Sequence, residues 1–278
     1  MMKTKAISRK VGLYLLLIAL VLCLLFPIYW AFVSSVTSSR LILSKNPPLT
    51  PVSFDLSAYV EVITRKPILT WLANTLIVAI SATVIGVVLS LLAGYSLSRF
   101  KTSGNKIMGF FLLLGRMLPS SLIVIPIYMM FSKAKMINNY WALILMNLTN
   151  IIPFSTWMMK GYFDSIPVDL EQAASIDGCR WGQSFVKVVL PLTLPGVAAV
   201  SIYSLILCWN EFLYARTLAY KQSKWIFTVG LASFIGEHSI NWSQIMAGGI
   251  LFIVPLVIIF IFLEPFLVGG LAAGSVKG

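Results

Sequence analysis

Six nearly uncharged stretches divide this chain, each close to the ~20 residues that a helix needs to cross about 30 Å of hydrocarbon. They run from about Val11 to Val36, Leu69 to Ser98, Ile107 to Phe131, Tyr140 to Met159, Pro195 to Leu213 and Trp242 to Val268. In lipid every backbone N–H and C=O must be satisfied within the protein, which leaves helices or a closed barrel. The alternation of apolar and polar residues that marks barrel strands is absent from these runs. The expected fold class is therefore all-α, a polytopic membrane protein of six transmembrane helices in one domain over residues 1–278. Composition agrees, because 11% charged and 59% hydrophobic residues lie far from the soluble average of about a quarter charged.

The charges that remain orient the chain. Lys3, Lys5, Arg9 and Lys10 precede the first apolar run, which shows no small-residue cleavage site and reads as a retained helix rather than a removed signal. The 21 Lys and Arg against nine Asp and Glu give a net charge of +12. These cations are strung between the apolar runs rather than gathered on one soluble face, which argues for anchoring at the lipid interface and against a nucleic-acid partner. With the N-terminus in the cytoplasm, eleven cations fall inside and nine outside, and Arg116 lies within the third stretch. The four ahead of the first helix carry the assignment, which puts both termini and the segment 160–194 on the cytoplasmic side.

That segment is rich in helix formers and charge together. Pro167 can open a helix whose first turn holds Asp169 and Glu171, acids suited to the positive end of a helix dipole. Gly178 breaks the pattern, and Arg180 to Leu190 offers a second helix that Pro191 stops. A helix, turn, helix hairpin results, and from these residues alone it is either a docking element or an ordinary connector.

The run EQAASIDGCRWGQSFVKVVLPLTLPG, Glu171 to Gly196, resembles the EAA motif of the membrane subunits of ATP-binding-cassette importers. Ordered matches extend over most of the chain: NTLIVA from Asn74, AGYSLSRF from Ala93, RMLPSSLIVIPIYMMF from Arg116, WNEFLYA from Trp209 and GSVKG from Gly274. Together they are similar to carbohydrate-importer permeases, in particular a maltose-transporter-like second membrane subunit.

The resemblance implies a permease subunit in a bacterial or archaeal cytoplasmic membrane, moving a sugar or sugar derivative by alternating access. It also implies a second, different permease subunit, two ATPase subunits that bind ATP and Mg, and an external solute-binding protein. The coupling residues would be Glu171, Gln172, Ala173, Ala174, Asp177 and Gly178, docked in a groove of the ATPase. Lys277 and Gly278 would form a tail that reaches toward the ATPases. The chain has no GxxxxGK[ST] phosphate loop, so it holds no nucleotide site or other cofactor itself, and hydrolysis belongs to the partners. Gln172 stands where the motif has a glutamate. The ionic contact to the ATPase would then become a neutral hydrogen bond or pass to Glu171. Gly178 can take the positive φ of a sharp turn, with Asp177 able to accept from backbone amides there.

Charge inside a span marks a pathway or a pair, since each group costs about 2.5 kcal/mol or more near the bilayer centre. Arg116, Glu211 and Glu264 fall in spans. On one continuous helix, Ser204, Glu211 and Tyr214 share a side, because seven residues return a helix to within about 20° of its starting direction. With Trp209 and Asn210 they form a candidate solute pathway of aromatic and hydrogen-bonding groups. The alternative is that Glu211 pairs with a cation such as Arg116 or with a residue of the partner subunit and fixes packing. Gly86 and Gly94 permit close helix approach, and Pro119 and Pro126 can kink the third span.

Other classes fit less well. A channel or secondary transporter explains neither the hairpin nor the missing inverted repeat. A membrane enzyme would need an intramembrane Ser and His pair, paired Asp or a metal cluster, and no catalytic set is found. His238 stands without companions at ligand spacing, so no metal site is expected. Permeation of a non-sugar solute remains open.

Overall fold

The computed structural model describes residues 2–52, 54–100, 102–117, 119–235 and 240–275. The expected sites at Lys277 and Gly278, the side chain of Arg116, and His238 lie outside the described residues. Among the described residues the chain is helical and carries no strand beyond one isolated bridge, Ile235 to Ile240.

The principal helices are α1 (Met2–Ser35), α2 (Ile68–Arg99), α3 (Ser103–Met117), α4 (Ser120–Lys133), α5 (Tyr140–Asp164), α6 (Asp169–Ile176), α7 (Trp181–Leu192, with a π-helical turn over Phe185–Val189), α8 (Leu194–Trp209), α9 (Leu213–Leu218) and α10 (Trp242–Ser275). Among the described residues four are long and apolar enough to cross a membrane, in α1, α2, α5 and α10, and α7 with α8 reach that length only as a pair bent by 74°, a broken span or a re-entrant element. The expected third span is instead two helices, α3 and α4 of 15 and 14 residues, neither long enough alone. The interruption falls at Pro119, whose extended ψ of 129° places it as the N-cap of α4. A proline there removes a helical N–H and disfavours helical geometry just before it. Pro126, by contrast, is accommodated inside α4.

The chain forms two compact units, one of Met1–Ile68 with Leu231–Val254, the other of Leu69–Gly230 with Pro255–Gly278. In the first, polar groups after α1 join it to the start of α10. The Ser243 hydroxyl donates to Thr37 O at 2.7 Å and lies 2.9 Å from the Ser39 hydroxyl, while Asp55 N donates to Val36 O at 3.0 Å. Most of α1 is apolar on every side and exposed, Cys23 included, as a lipid-facing helix should be.

The second unit is built on α2, α5 and α8. Gly86 and Gly94 act as the packing residues their spacing suggests: a Cβ at Gly86 would lie 2.7 Å from Ile151 Cγ2, and one at Gly94 would lie 2.8 Å from Met159 Cβ. The two backbones therefore approach as only glycine permits. At one end of this packing Val87, Tyr95, Met159, Phe163, Ile166, Val189 and Val200 form a buried apolar cluster. At the other, Asn74 of the NTLIVA run accepts from the Tyr140 hydroxyl at 2.6 Å and donates to Ser223 O and Trp225 O at 3.0 and 2.8 Å. That amide ties α2, the start of α5 and the 222–227 segment together.

Candidate functional sites: the hairpin and the recess

The hairpin begins where α5 ends. Helix α6 closes with Cys179 N donating to Ala174 O at 2.9 Å and Gly178 N donating to Ser175 O at 3.1 Å, while Gly178 takes φ +86°. This is a glycine-type helix stop made from backbone groups. The Asp177 carboxylate, expected to accept from amides of the turn, makes no hydrogen bond among the described residues and faces outward. The backbone closure leaves it no amide to cap. The Gln183 side chain then accepts from Arg180 N at 2.9 Å and starts α7.

The six expected coupling residues divide by direction. Gln172, Ala173, Asp177 and Gly178 are exposed, beside Ile176 at 86% exposure, whereas Ala174 is buried. Glu171 points inward. Its Oε1 accepts from Arg99 Nε at 2.6 Å, and its Oε2 accepts from the Tyr95 hydroxyl. The two charged side chains are only 10% and 13% exposed. Arg99 also donates to Ile166 O at 3.1 Å and to the Ser98 hydroxyl at 3.2 Å, and Ser98 in turn donates to Asp164 at 2.6 Å. The Tyr95 ring sits edge-on to Phe163, Trp181 and Phe185, at centroid distances of 5.4, 5.5 and 4.8 Å.

Both Glu171 oxygens are engaged within the chain, whereas the neutral Gln172 beside it is exposed. Arg99 and Tyr95 are partners of the hairpin that sequence reasoning missed. The only sequence signal for them is the AGYSLSRF run, which says nothing of a contact 72 residues away.

The second site lies where two helices are interrupted. Helix α8 stops at Trp209, and α9 starts at Leu213. Between them Glu211 accepts from Tyr214 N at 2.7 Å and Ala215 N at 2.9 Å, and its carbonyl accepts from the Thr228 hydroxyl at 2.6 Å. It satisfies the first free amides of α9, a capping role beside the pathway and cation-pair readings, the latter resting on an Arg116 side chain outside the described residues. Asn210, Glu211 and Tyr214 do come together, around a recess of about 410 Å³ that Ser120, Asn147, Asn150 and Tyr203 also line.

Ser204 and Trp209 are not in that lining. Both are fully buried, and the Ser204 hydroxyl lies 3.3 Å from that of Ser155 on α5. The seven-residue stripe fails because the helix ends inside it. Glu264 is exposed on α10, outside the recess lining.

Residues 86–271 match the protein family described as the binding-protein-dependent transport system inner membrane component. The chain belongs to this family. The matched span of the transport component contains both the hairpin and the recess. Over 263 residues it is 32% identical to the diacetylchitobiose uptake system permease protein DasC of Streptomyces coelicolor, covering 94% of this chain and 95% of that one. It is 34% identical to the maltodextrin transport system permease protein MdxG of Bacillus subtilis, over 76% of each chain. Among solved structures, a bacterial ABC transporter involved in the import of the acidic polysaccharide alginate matches with a TM-score of 0.75 and 26% identity, covering 93% of this chain and 96% of that one. The inner membrane component is thus a multi-pass ABC-transporter permease, with helical fold and family in agreement.

Proposed function

We propose that this chain is the permease subunit of an ATP-driven sugar importer, coupled to cytoplasmic ATPases through the outward face of the α6–α7 hairpin. The observation that carries the coupling role is the division of that hairpin. Glu171 is bound inward to Arg99 and Tyr95, while Gln172, Ala173, Ile176, Asp177 and Gly178 stand free for a groove on a partner. An apolar tip with one acid and one amide suits a helix-in-groove contact. A hairpin bound at its base transmits that contact into α2 as a rigid body.

The uptake of diacetylchitobiose and maltodextrin by the systems of its relatives supports the sugar class. In this reading two ATPase subunits bind ATP and Mg, a second and different permease completes the pathway, and an external binding protein delivers solute. The hairpin and both termini are cytoplasmic, α3 with α4 supplies the sixth crossing, and Lys277 and Gly278 reach toward the ATPases. Solute passes the side of the bundle that carries Asn210, Glu211 and Tyr214.

Gly178→Pro tests the coupling. Proline cannot adopt φ +86° and removes the N–H that closes on Ser175 O. The variant is expected to reach the membrane at normal levels yet lose solute uptake and binding-protein-stimulated ATP hydrolysis. Normal uptake by that variant would sink the proposal.

A further inference from the structure

We infer that the recess is a solute subsite carried by this subunit itself, and that it selects uncharged saccharides over anionic ones; the inference rests on the permease reading above. Three observations converge. First, the neutral polar groups Ser120, Asn147, Asn150, Tyr203, Asn210 and Tyr214 line one concavity of about 410 Å³, the volume of a small ligand rather than of a water molecule. They come from α4, α5, α8 and α9 and the break between the last two, so the collection is tertiary rather than one helix's polar stripe.

Second, the Tyr214 hydroxyl is buried, with the residue 2% exposed, and has no hydrogen-bond partner among the described residues. A buried hydroxyl left unpaired is costly, and a small turn of the Tyr214 side chain toward the recess it lines would let a ligand hydroxyl satisfy it. Third, the chain is interrupted twice beside it, at Pro119 ahead of α4 and at 210–212 between α8 and α9. Irregular backbone at membrane depth is tolerated where it lines a cavity, and broken helices are where transporters place their solutes.

The charge of the lining sets the class. Among the described residues Glu211 is its one carboxylic acid, and no described Lys, Arg or His lines it. Both Glu211 oxygens accept from amides of α9, so the group is held in place there. A uronate or sulfonate entering the recess would meet a carboxylate with no cation among the described lining residues to offset it. A neutral sugar meets amide groups that accept and donate to adjacent hydroxyls, and the half-buried Tyr203 for an apolar face.

The complete transporter, reconstituted in liposomes with its binding protein, decides the matter with three labelled probes: diacetylchitobiose, maltotriose and trigalacturonate. Uptake of a neutral probe is expected at ten times or more the rate of trigalacturonate. Tyr214→Phe and Asn150→Ala are each expected to raise the KM of that uptake about fivefold, as for one lost hydrogen bond, with assembly and ATP hydrolysed per solute unchanged.

Comparable uptake of trigalacturonate overturns the selection, and an unchanged KM in both variants overturns the subsite. A defect confined to assembly shows the recess to be a seam with the second permease and overturns the subsite too. Binding-protein-stimulated ATP hydrolysis without uptake of any probe ends the saccharide subsite and leaves the permease reading standing. Absence of that stimulation in the unaltered complex ends the permease reading and the subsite with it.

Discussion

The base of the hairpin and the recess are two polar sites of the same unit, and they are finished in opposite ways. At the hairpin both oxygens of Glu171 are occupied, the Arg99 guanidinium makes further bonds, and three aromatic rings surround Tyr95. At the recess the Tyr214 hydroxyl has no partner among the described residues, and the neutral Asn150 lines open volume. The first arrangement is closed and suits an element that must move as one piece. The second leaves hydrogen-bonding capacity unspent, which is what a transient ligand requires. Saturation of the Glu171 network thus sets it apart from the recess, although both sites hold a glutamate and the hairpin's Ser184 hydroxyl is also buried without a partner among the described residues.

Charge reversal is the strongest way to break this contrast. Glu171→Arg sets two cations side by side in a nearly dry site, and removing one member of such a pair costs about 3–5 kcal/mol even without repulsion. Uptake and the amount of folded protein in the membrane are expected to fall more than tenfold. Combining it with Arg99→Glu should restore much of both, and failure of the double variant would show that the pair does more than hold the base together.

A step smaller is Gly94→Leu. It forces a side chain against Met159 and the Thr156 carbonyl and should destabilise the purified complex by about 1–3 kcal/mol, read as a lower melting temperature. Next comes Tyr95→Phe, which deletes one bond to Glu171 and leaves the ring in place. A loss of about 1.5 kcal/mol in stability is expected, since hydrogen bonds to charged groups are worth roughly 1.5–3.

The smallest effect is reserved for Ser204→Ala. Its contact with Ser155 is long at 3.3 Å, and the residue lies away from the recess, so stability should change by less than about 0.5 kcal/mol and the KM for solute not at all. A clear rise in KM would return Ser204 to the solute pathway and blur the boundary between packing and recess.

Much of this was legible in the chain before folding. Apolar runs, Gly178 and Pro167 depend on local physics alone, and the hairpin turns where they put it, although its second helix runs through Pro191 to Leu192 instead of stopping at the proline. The third span failed for a reason also present in the sequence, because a proline in a run of apolar residues either kinks a helix or ends it. At Pro119 it ended one. The pathway stripe failed differently. Placing Ser204, Glu211 and Tyr214 on one side assumed a helix through 214, whereas α8 stops at Trp209 and Glu211 satisfies the amides of the next helix. Hydropathy does not register that stop, since Leu213 continues the apolar run.

By itself the sequence determined that the chain is a bundle of membrane helices with a glycine-turned hairpin, because helix length, hydrophobicity and turn conformation are set by residues a few positions apart. Only the tertiary structure decided which of two neighbouring residues, Glu171 or Gln172, faces inward, and that Asn147, Asn150, Tyr203 and Tyr214 share one wall. Those outcomes depend on Arg99, 72 positions from Glu171, and on helix ends that meet across the bundle. No local pattern encodes a distance between helices; packing sets it, here through glycines that let α2 and α5 touch.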